Sequence, residues 1–376
     1  MCGAVRVGRS FVIELRNCTK SFGEKPAVQD LTLTAENGKI TMLIGPSGCG
    51  KTTTLKMINR LVEGGSGDIL IDGHSIYDLD AVTLRRSIGY VIQEIGLFPH
   101  MNVYDNIAAV PRLLKWGEKQ IRERVEELLD LVTLDESYIR SYPLHLSGGE
   151  RQRVGLARGL AADPNILLMD EPFGAIDPIN RSRLHDSFAA IQEKIQKTIV
   201  FVTHDINEAI KLGDNIAVMR EGRLEQYGSV TDILYRPNST FVEQLLGRDR
   251  NIKALVLKRN REFISRSGFV QVERESSEQE IIEALQRQGD RQAVAVDRKG
   301  TLTGLFFLEN GSDGKEPRLS FQADPIQVQE HNNLQETFSL MIDAGESSLP
   351  VVGQHNRFLG LIKLEDIFNE FRVEAQ

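Results

Sequence analysis

The stretch that decides the fold is "ITMLIGPSGCGKTTTLKMINRL", residues 40–61. Ile40–Ile44 is a short apolar run of β type. From Thr52 onward, Leu55, Ile58 and Leu61 recur near helical spacing. Between them lies Gly45-Pro46-Ser47-Gly48-Cys49-Gly50-Lys51-Thr52, a full match to G-x-x-x-x-G-K-[ST] in the strand–loop–helix setting that this motif requires. Its glycines let the backbone wrap closely round a phosphate, and several N–H groups then point inward at a helix N-terminus. Lys51 is expected to reach the β- and γ-phosphates, and Thr52 to place its hydroxyl on Mg2+. The candidate nucleotide contacts therefore run from Gly45 through Thr53. Cys49 fills a variable position and reads as structural filler.

A second apolar run, Ile166-Leu167-Leu168-Met169, ends in Asp170-Glu171. A buried strand that delivers two carboxylates at its end suits a P-loop NTPase. Asp170 is expected to hold Mg2+ through water, and Glu171 to polarise the attacking water. A third run, "TIVFVTHD", ends in Thr203-His204-Asp205 and offers His204 as a γ-phosphate contact. Ser147-Gly148-Gly149 precedes a helical segment and is a further anion site, with free N–H groups, a hydroxyl and the positive end of a helix dipole. Two anion sites about a hundred residues apart need a common explanation.

The 376 residues suit two or three domains, and a net charge of −8 gives no support for a nucleic-acid partner. No run of eighteen apolar residues is present, so no membrane span is expected. Residues 1–10 read as a loose tail and a poor secretion signal. Cys2, Cys18 and Cys49 show neither metal-ligand spacing nor a disulfide framework, which suits a reducing cytosol.

Gly45–Thr52, Gln93, Leu146-Ser147-Gly148-Gly149-Glu150, Asp170-Glu171, Gly174-Ala175-Ile176-Asp177 and His204 occur in one order. In this the chain resembles the nucleotide-binding subunits of ATP-binding-cassette (ABC) transporters, over roughly residues 12–245. The resemblance implies an α/β fold: a RecA-like P-loop core with antiparallel β and helical subdomains, the latter at about 94–160. It implies a head-to-tail homodimer in which Ser147, Gly148, Gly149, Glu150 and Asp177 meet the ATP held by the other copy. It also implies that Phe22 stacks on adenine, where many relatives carry Tyr, and that Gln93 reaches Mg2+ and the attacking water. "GLFPHMNV", Gly96–Val103, would belong to a groove that accepts a membrane permease subunit.

"LRRSIGYVIQEIGLFPHMNVYDNI" and "DEPFGAIDPINR" look most like the ATPase subunits of glycine betaine, carnitine and choline importers. By that resemblance the chain works with ATP and Mg2+ at the cytoplasmic face of the membrane, and indirectly with an external binding protein. The alternatives are an importer ATPase for another solute, such as an amino acid, and a soluble ABC ATPase outside transport.

The cassette is expected over 11–246, a charged linker over 247–260, and a second module over 261–376. The second module repeats. "GLFFLEN" (304–310) aligns with "GLIKLED" (360–366), and the same offset pairs Leu285 with Met341, Gly289 with Gly345 and Val296 with Val352. Each copy reads as helix, strand, strand, helix start. The pattern resembles a tandem pair of CBS domains, an α+β regulatory module, with the second copy at about 320–376. CBS pairs in relatives bind adenine nucleotides or a cyclic dinucleotide, which points to Lys363 and Asp366. Lys363 stands where the family's usual hydroxyl would be. The alternatives for this tail are a β-rich oligonucleotide-fold extension, as on sugar-importer ATPases, against which the helical stripes argue, and a dimerisation or spacer module.

Overall fold

The computed structural model describes residues 12–92, 96–174, 176–309 and 317–373; the expected tail 1–10 and the candidate Gln93 lie outside them. The chain divides into two compact units between Arg248 and Asp249.

In the first unit, β1 (Ile13–Phe22) and β2 (Lys25–Ala35) pair antiparallel. Then come β3 (Ile40–Ile44), α1 (Lys51–Ile58), β4 (Ser66–Ile71), β5 (His74–Ser75), α2 (Ala81–Ser87) and β6 (Ile88–Val91). The helices α3 (Val103–Leu113), α4 (Glu118–Leu131) and α5 (Gly148–Leu160) follow. The unit continues through β7 (Ile166–Asp170), α6 (Pro178–Ile195), β8 (Thr198–Val202), α7 (Ile206–Leu212), β9 (Asn215–Arg220), β10 (Arg223–Ser229), α8 (Val230–Tyr235) and α9 (Thr240–Leu246).

Two sheets result. One is four-stranded, in the order β2-β1-β4-β5; the other is six-stranded, in the order β10-β9-β3-β8-β7-β6. In the larger sheet only β10 runs antiparallel to its neighbour. β3, β7 and β8 are buried at every position, which is why they read as mainly apolar runs; parallel strands are covered on both faces. Burying side chains such as Leu167 and Leu168 stabilises the sheet by about 1.5–3 kcal/mol each. Because β3, β8 and β7 are adjacent and parallel, the loops that leave their C-terminal ends converge on one edge.

The helices α3, α4 and α5 pack on one another, burying Ile107 and Ala108, then Ile121, Val125 and Leu128, then Val154, Ala157 and Leu160. Asn102 caps α3 through the Asp105 N–H. The fully buried Asn106 amide holds the preceding loop, accepting from Phe98 N–H at 2.8 Å and donating to the Met101 carbonyl at 3.0 Å.

The second unit begins with α10 (Arg250–Ala254). Its first copy contains β11 (Val270–Glu273), α11 (Glu278–Gln288), β12 (Gln292–Val296), β13 (Leu302–Glu309) and β14 (Arg318–Gln322). Its second contains β15 (Val328–Gln329), α12 (Leu334–Ala344), β16 (Ser348–Val352), β17 (Phe358–Lys363) and α13 (Leu364–Val373). The repeat extends to single residues. Gly289 and Gly345 both cap their helices in the left-handed conformation at φ 71°. Ala295 pairs with Gly304 just as Val351 pairs with Gly360, and each ladder shifts register at the next residue.

One expectation lies outside the described residues and one needs correction. The helix start expected at the end of the first copy falls at 310–316, outside the described residues; beyond them β14 pairs antiparallel with β13, and the Phe306 and Phe321 rings meet at 4.7 Å. The stretch 247–260 is not a free linker. Within its charges sits Ala254-Leu255-Val256-Leu257, and Leu255, 2% exposed, joins the core of Leu334, Met341, Leu349 and Ile362. Asn260 is fully buried and donates its side chain to the Gln329 carbonyl at 2.8 Å.

Candidate active site

The loops after β3, β7 and β8 build one cavity of about 490 Å3, lined by Ser47, Gly48, Gly50, Lys51, Thr52 and Thr53 together with Ala27, Glu171 and His204. At two of its glycines the cradle has no room for a side chain. A Cβ on Gly50, where φ is 106°, would come within 2.4 Å of the Ala27 carbonyl oxygen. On Gly45, where φ is 144°, it would come within 2.1 Å of the Met219 oxygen. Lys51 is buried; its ammonium donates to the Gly45 carbonyl at 2.7 Å and to the Pro46 carbonyl at 3.1 Å. Cys49 is buried beside it, and burial pushes its thiol up, so it is no ready nucleophile.

Thr52 Oγ1 donates to Asp170 Oδ1 at 2.9 Å. Burial pushes the Asp170 carboxyl up from its ordinary range, against the pull of the Thr52 hydroxyl and the Lys56 ammonium. A hydroxyl and a buried carboxylate side by side are two hard oxygen donors, and they fit a small divalent cation. Glu171 occupies the left-handed region at φ 45°, unusual for a residue with a side chain and worth about 1 kcal/mol of strain or more. Its N–H donates to the Val202 carbonyl at 2.9 Å, which ties the ends of β7 and β8 together. His204 Nδ1 lies 3.0 Å from Glu171 Oε2. Phe22, at the end of β1, is 54% exposed, with the Lys20 ammonium 5.2 Å from its ring centroid.

Ser147 and Gly148-Gly149 sit at the N-terminus of α5 and line a separate cavity of about 650 Å3 with Glu150, Tyr138 and Asp177. The two cavities have no lining residue in common. Ser147 Oγ accepts from the Glu150 N–H, and Glu150 Oε2 accepts from the Ser147 N–H at 2.7 Å, a reciprocal capping box. The bond from Ser147 holds the Glu150 carboxyl below its usual range, and the Tyr138 hydroxyl supports it. Glu150, grouped by sequence with the contacts to the other copy's ATP, turns its carboxylate onto its own helix.

In the second unit, Lys363 lines a cavity of about 560 Å3 and donates to the Gly268 carbonyl at 3.0 Å. Asp366 instead accepts from Ser265 Oγ at 2.9 Å. In the cassette, sequence reasoning passes over Arg181, His185 and Glu208. The available signal is the one-turn spacing of the first two and the acidic residue shortly after His204.

The ABC transporter family pattern matches residues 28–174, and the CBS domain pattern matches residues 321–372. The osmoprotectant import ATP-binding protein OsmV of Salmonella typhimurium is 41% identical over 95% of each chain. The chain belongs to the ABC transporter ATP-binding proteins. Within this family it is also 41% identical to the glycine betaine/carnitine/choline transport ATP-binding protein OpuCA of Bacillus subtilis, over 93% of this chain and 94% of that one. Among solved structures, the dimeric bacterial ABC transporter cassette MJ0796 is 34% identical, with a TM-score of 0.53, and 98% of it aligns with 58% of this chain. A further structure of that cassette is a dimeric post-hydrolysis state bound to ADP and phosphate. The ABC family pattern falls in the first unit and the CBS pattern in the second; the latter covers the second repeat and not the first.

Proposed function

We propose that this chain is the ATPase subunit of a quaternary ammonium importer, working as a head-to-tail homodimer on the cytoplasmic face of the membrane. The observation that carries the ATPase reading is the meeting of Lys51, the Thr52–Asp170 pair and the Glu171–His204 pair in one cavity. The names of the relatives, osmoprotectant and glycine betaine/carnitine/choline transport, support the cargo.

The cradle N–H groups and Lys51 bind the β- and γ-phosphates, and the Phe22 ring stacks on adenine. Thr52 and Asp170, with Gln93, are the residues that would hold Mg2+, which when bound neutralises phosphate charge. Glu171 orients the attacking water and accepts its proton, while His204 holds the γ-phosphate. The Ser147 hydroxyl and the Gly148 and Gly149 N–H groups cover the γ-phosphate of the partner copy's ATP, and Asp177 lies at the seam. ATP therefore joins two chains, and hydrolysis releases them.

Gly96–Val103 is the permease face: Phe98 is 42% exposed on a loop held by Asn106. The tandem CBS module regulates transport in response to a nucleotide or cyclic dinucleotide at Lys363.

The test is uptake of labelled glycine betaine by cells that express the complete transporter, at low and high osmolarity. Uptake is expected to vanish with Glu171→Gln and to lose its osmotic dependence in a chain ending at Arg248. An assembled, ATPase-active complex without betaine uptake would overturn the cargo and leave the ATPase.

A further inference from the structure

Two residues on α6 reach from the Asp177 loop to the loop that carries His204. Arg181 Nη2 donates to the Ile176 carbonyl at 2.7 Å, one residue before Asp177, and its Nη1 lies 3.7 Å from Asp205 Oδ2. One turn further along the same helix face, His185 Nε2 is hydrogen-bonded to Glu208 Oε1 at 3.0 Å. The other oxygen of that carboxylate, Oε2, accepts from Thr203 Oγ1 at 2.5 Å. Thr203 Oγ1 in turn accepts from the Asp205 N–H at 3.0 Å. The residues on either side of His204 are thus both held from α6. Thr203 N–H also donates to the Leu43 carbonyl at 3.2 Å, at the end of the strand that feeds the phosphate cradle.

The His185–Glu208–Thr203 part of the network is closed to water, while Arg181 and Asp205 are partly exposed. His185 is 7% exposed and Glu208 3%. Phe173, in the loop that follows Glu171, packs its ring 5.1 Å from the His185 ring. A carboxylate taken out of water is costly unless both oxygens are engaged, and here both are. A satisfied buried network of this kind holds one arrangement and resists intermediate ones. It is more than α6 needs for packing, since Leu184 and Phe188 already bury that face of the helix.

We propose that Arg181 and His185 form a positioning brace, through Asp205 and Glu208–Thr203, that sets His204 against the γ-phosphate according to the state of the Asp177 loop. The inference rests on the reading of His204 and Asp177 given under the proposed function. Contacts made at Asp177 by a second copy then reach His204 of the same chain through about one helical turn. The brace touches no phosphate, so its loss acts on turnover and leaves nucleotide binding alone.

The experiment measures ATP hydrolysis by the purified full-length chain over a range of ATP concentrations. The variants are His185→Leu, His185→Gln, Thr203→Val and His204→Ala. His185→Leu and Thr203→Val are each expected to lower kcat about tenfold while KM for ATP stays within about twofold. His185→Gln keeps a side-chain donor for Glu208 and is expected to restore most of that rate. Wild-type turnover in both His185→Leu and Thr203→Val would overturn the brace. So would a KM that rises in step with the loss of kcat, or a Gln variant no better than Leu. If His185→Leu does not fold, the near-isosteric Thr203→Val carries the same reading; failure of both to fold would assign the network to stability alone and overturn the proposal. His204→Ala separates the two levels. Wild-type hydrolysis by that variant would sink the His204 assignment itself, whereas a slow His204→Ala beside a fast His185→Leu would sink the brace only.

Discussion

His204 Nδ1 stands 3.0 Å from Glu171 Oε2, so the two candidate reacting groups at the ends of neighbouring strands are hydrogen-bonded to each other. Glu171 lines the same cavity as the cradle, where an attacking water would stand. Replacing Glu171 with Gln preserves the shape and removes the proton acceptor. Hydrolysis is expected to fall by about 10²–10⁴-fold, with ATP binding retained and the closed dimer accumulating. Phosphate release together with nucleotide-dependent size-exclusion chromatography reads both effects.

Ser147→Arg places a long cation at the N-terminus of α5, where the hydroxyl now caps the helix. Hydrolysis is expected to be lost, while each monomer binds ATP as before, because the first cavity contains no part of α5. Equilibrium binding of a fluorescent ATP analogue, beside steady-state hydrolysis, tests this. Equal loss of both would contradict the assignment of Ser147 to the partner's nucleotide.

The Glu150 carboxyl, held low chiefly by the Ser147 N–H, gives a pH signature of its own. An acid whose folded value is depressed contributes stability that is present above its ordinary range and lost as pH falls through the folded value. Denaturant unfolding from about pH 6 to about pH 3 should therefore show a steeper acid loss in the wild type than in Glu150→Gln. Identical slopes would show that the capping box contributes nothing to acid stability.

Gly360 has φ 147°, and a Cβ there would come within 2.5 Å of the Ser265 carbonyl oxygen. Gly304, its counterpart in the first copy, would press a Cβ within 2.4 Å of the Phe321 ring. Ala at either position is expected to cost the second unit about 2 kcal/mol or more. The first unit's ATP hydrolysis should be unaffected. Calorimetry that resolves the two units checks the stability change, and an ATPase assay checks the rest.

Much of the fold and of the site is legible in the residues themselves. The phosphate cradle can be read because its function forbids side chains at Gly45 and Gly50, so composition and geometry are the same constraint there. The buried strands can be read because burial on both faces leaves mainly apolar residues. The repeat is visible because Gly289 and Gly345 must both end a helix with positive φ. What the residues conceal depends on contacts distant in sequence. Leu255 sits among charges and looks like linker until Leu334 and Ile362 surround it. Glu208 and His185 are 23 residues apart, and no local pattern distinguishes a buried carboxylate from an exposed one. β14 is concealed in the same way, since its partner is β13, where Phe321 meets Phe306.

The separation of the two anion cavities also has a genetic consequence. If the cradle of one copy works only with the signature loop of another, neither defect is confined to the chain that carries it. An allele damaged at Lys51 and an allele damaged at Ser147 would each be inactive alone, yet mixed in one cell they would rebuild one intact site in each mixed pair. Conversely, a chain with a sound cradle but a broken Glu171 would capture healthy copies and hold them shut, and the defect would be dominant.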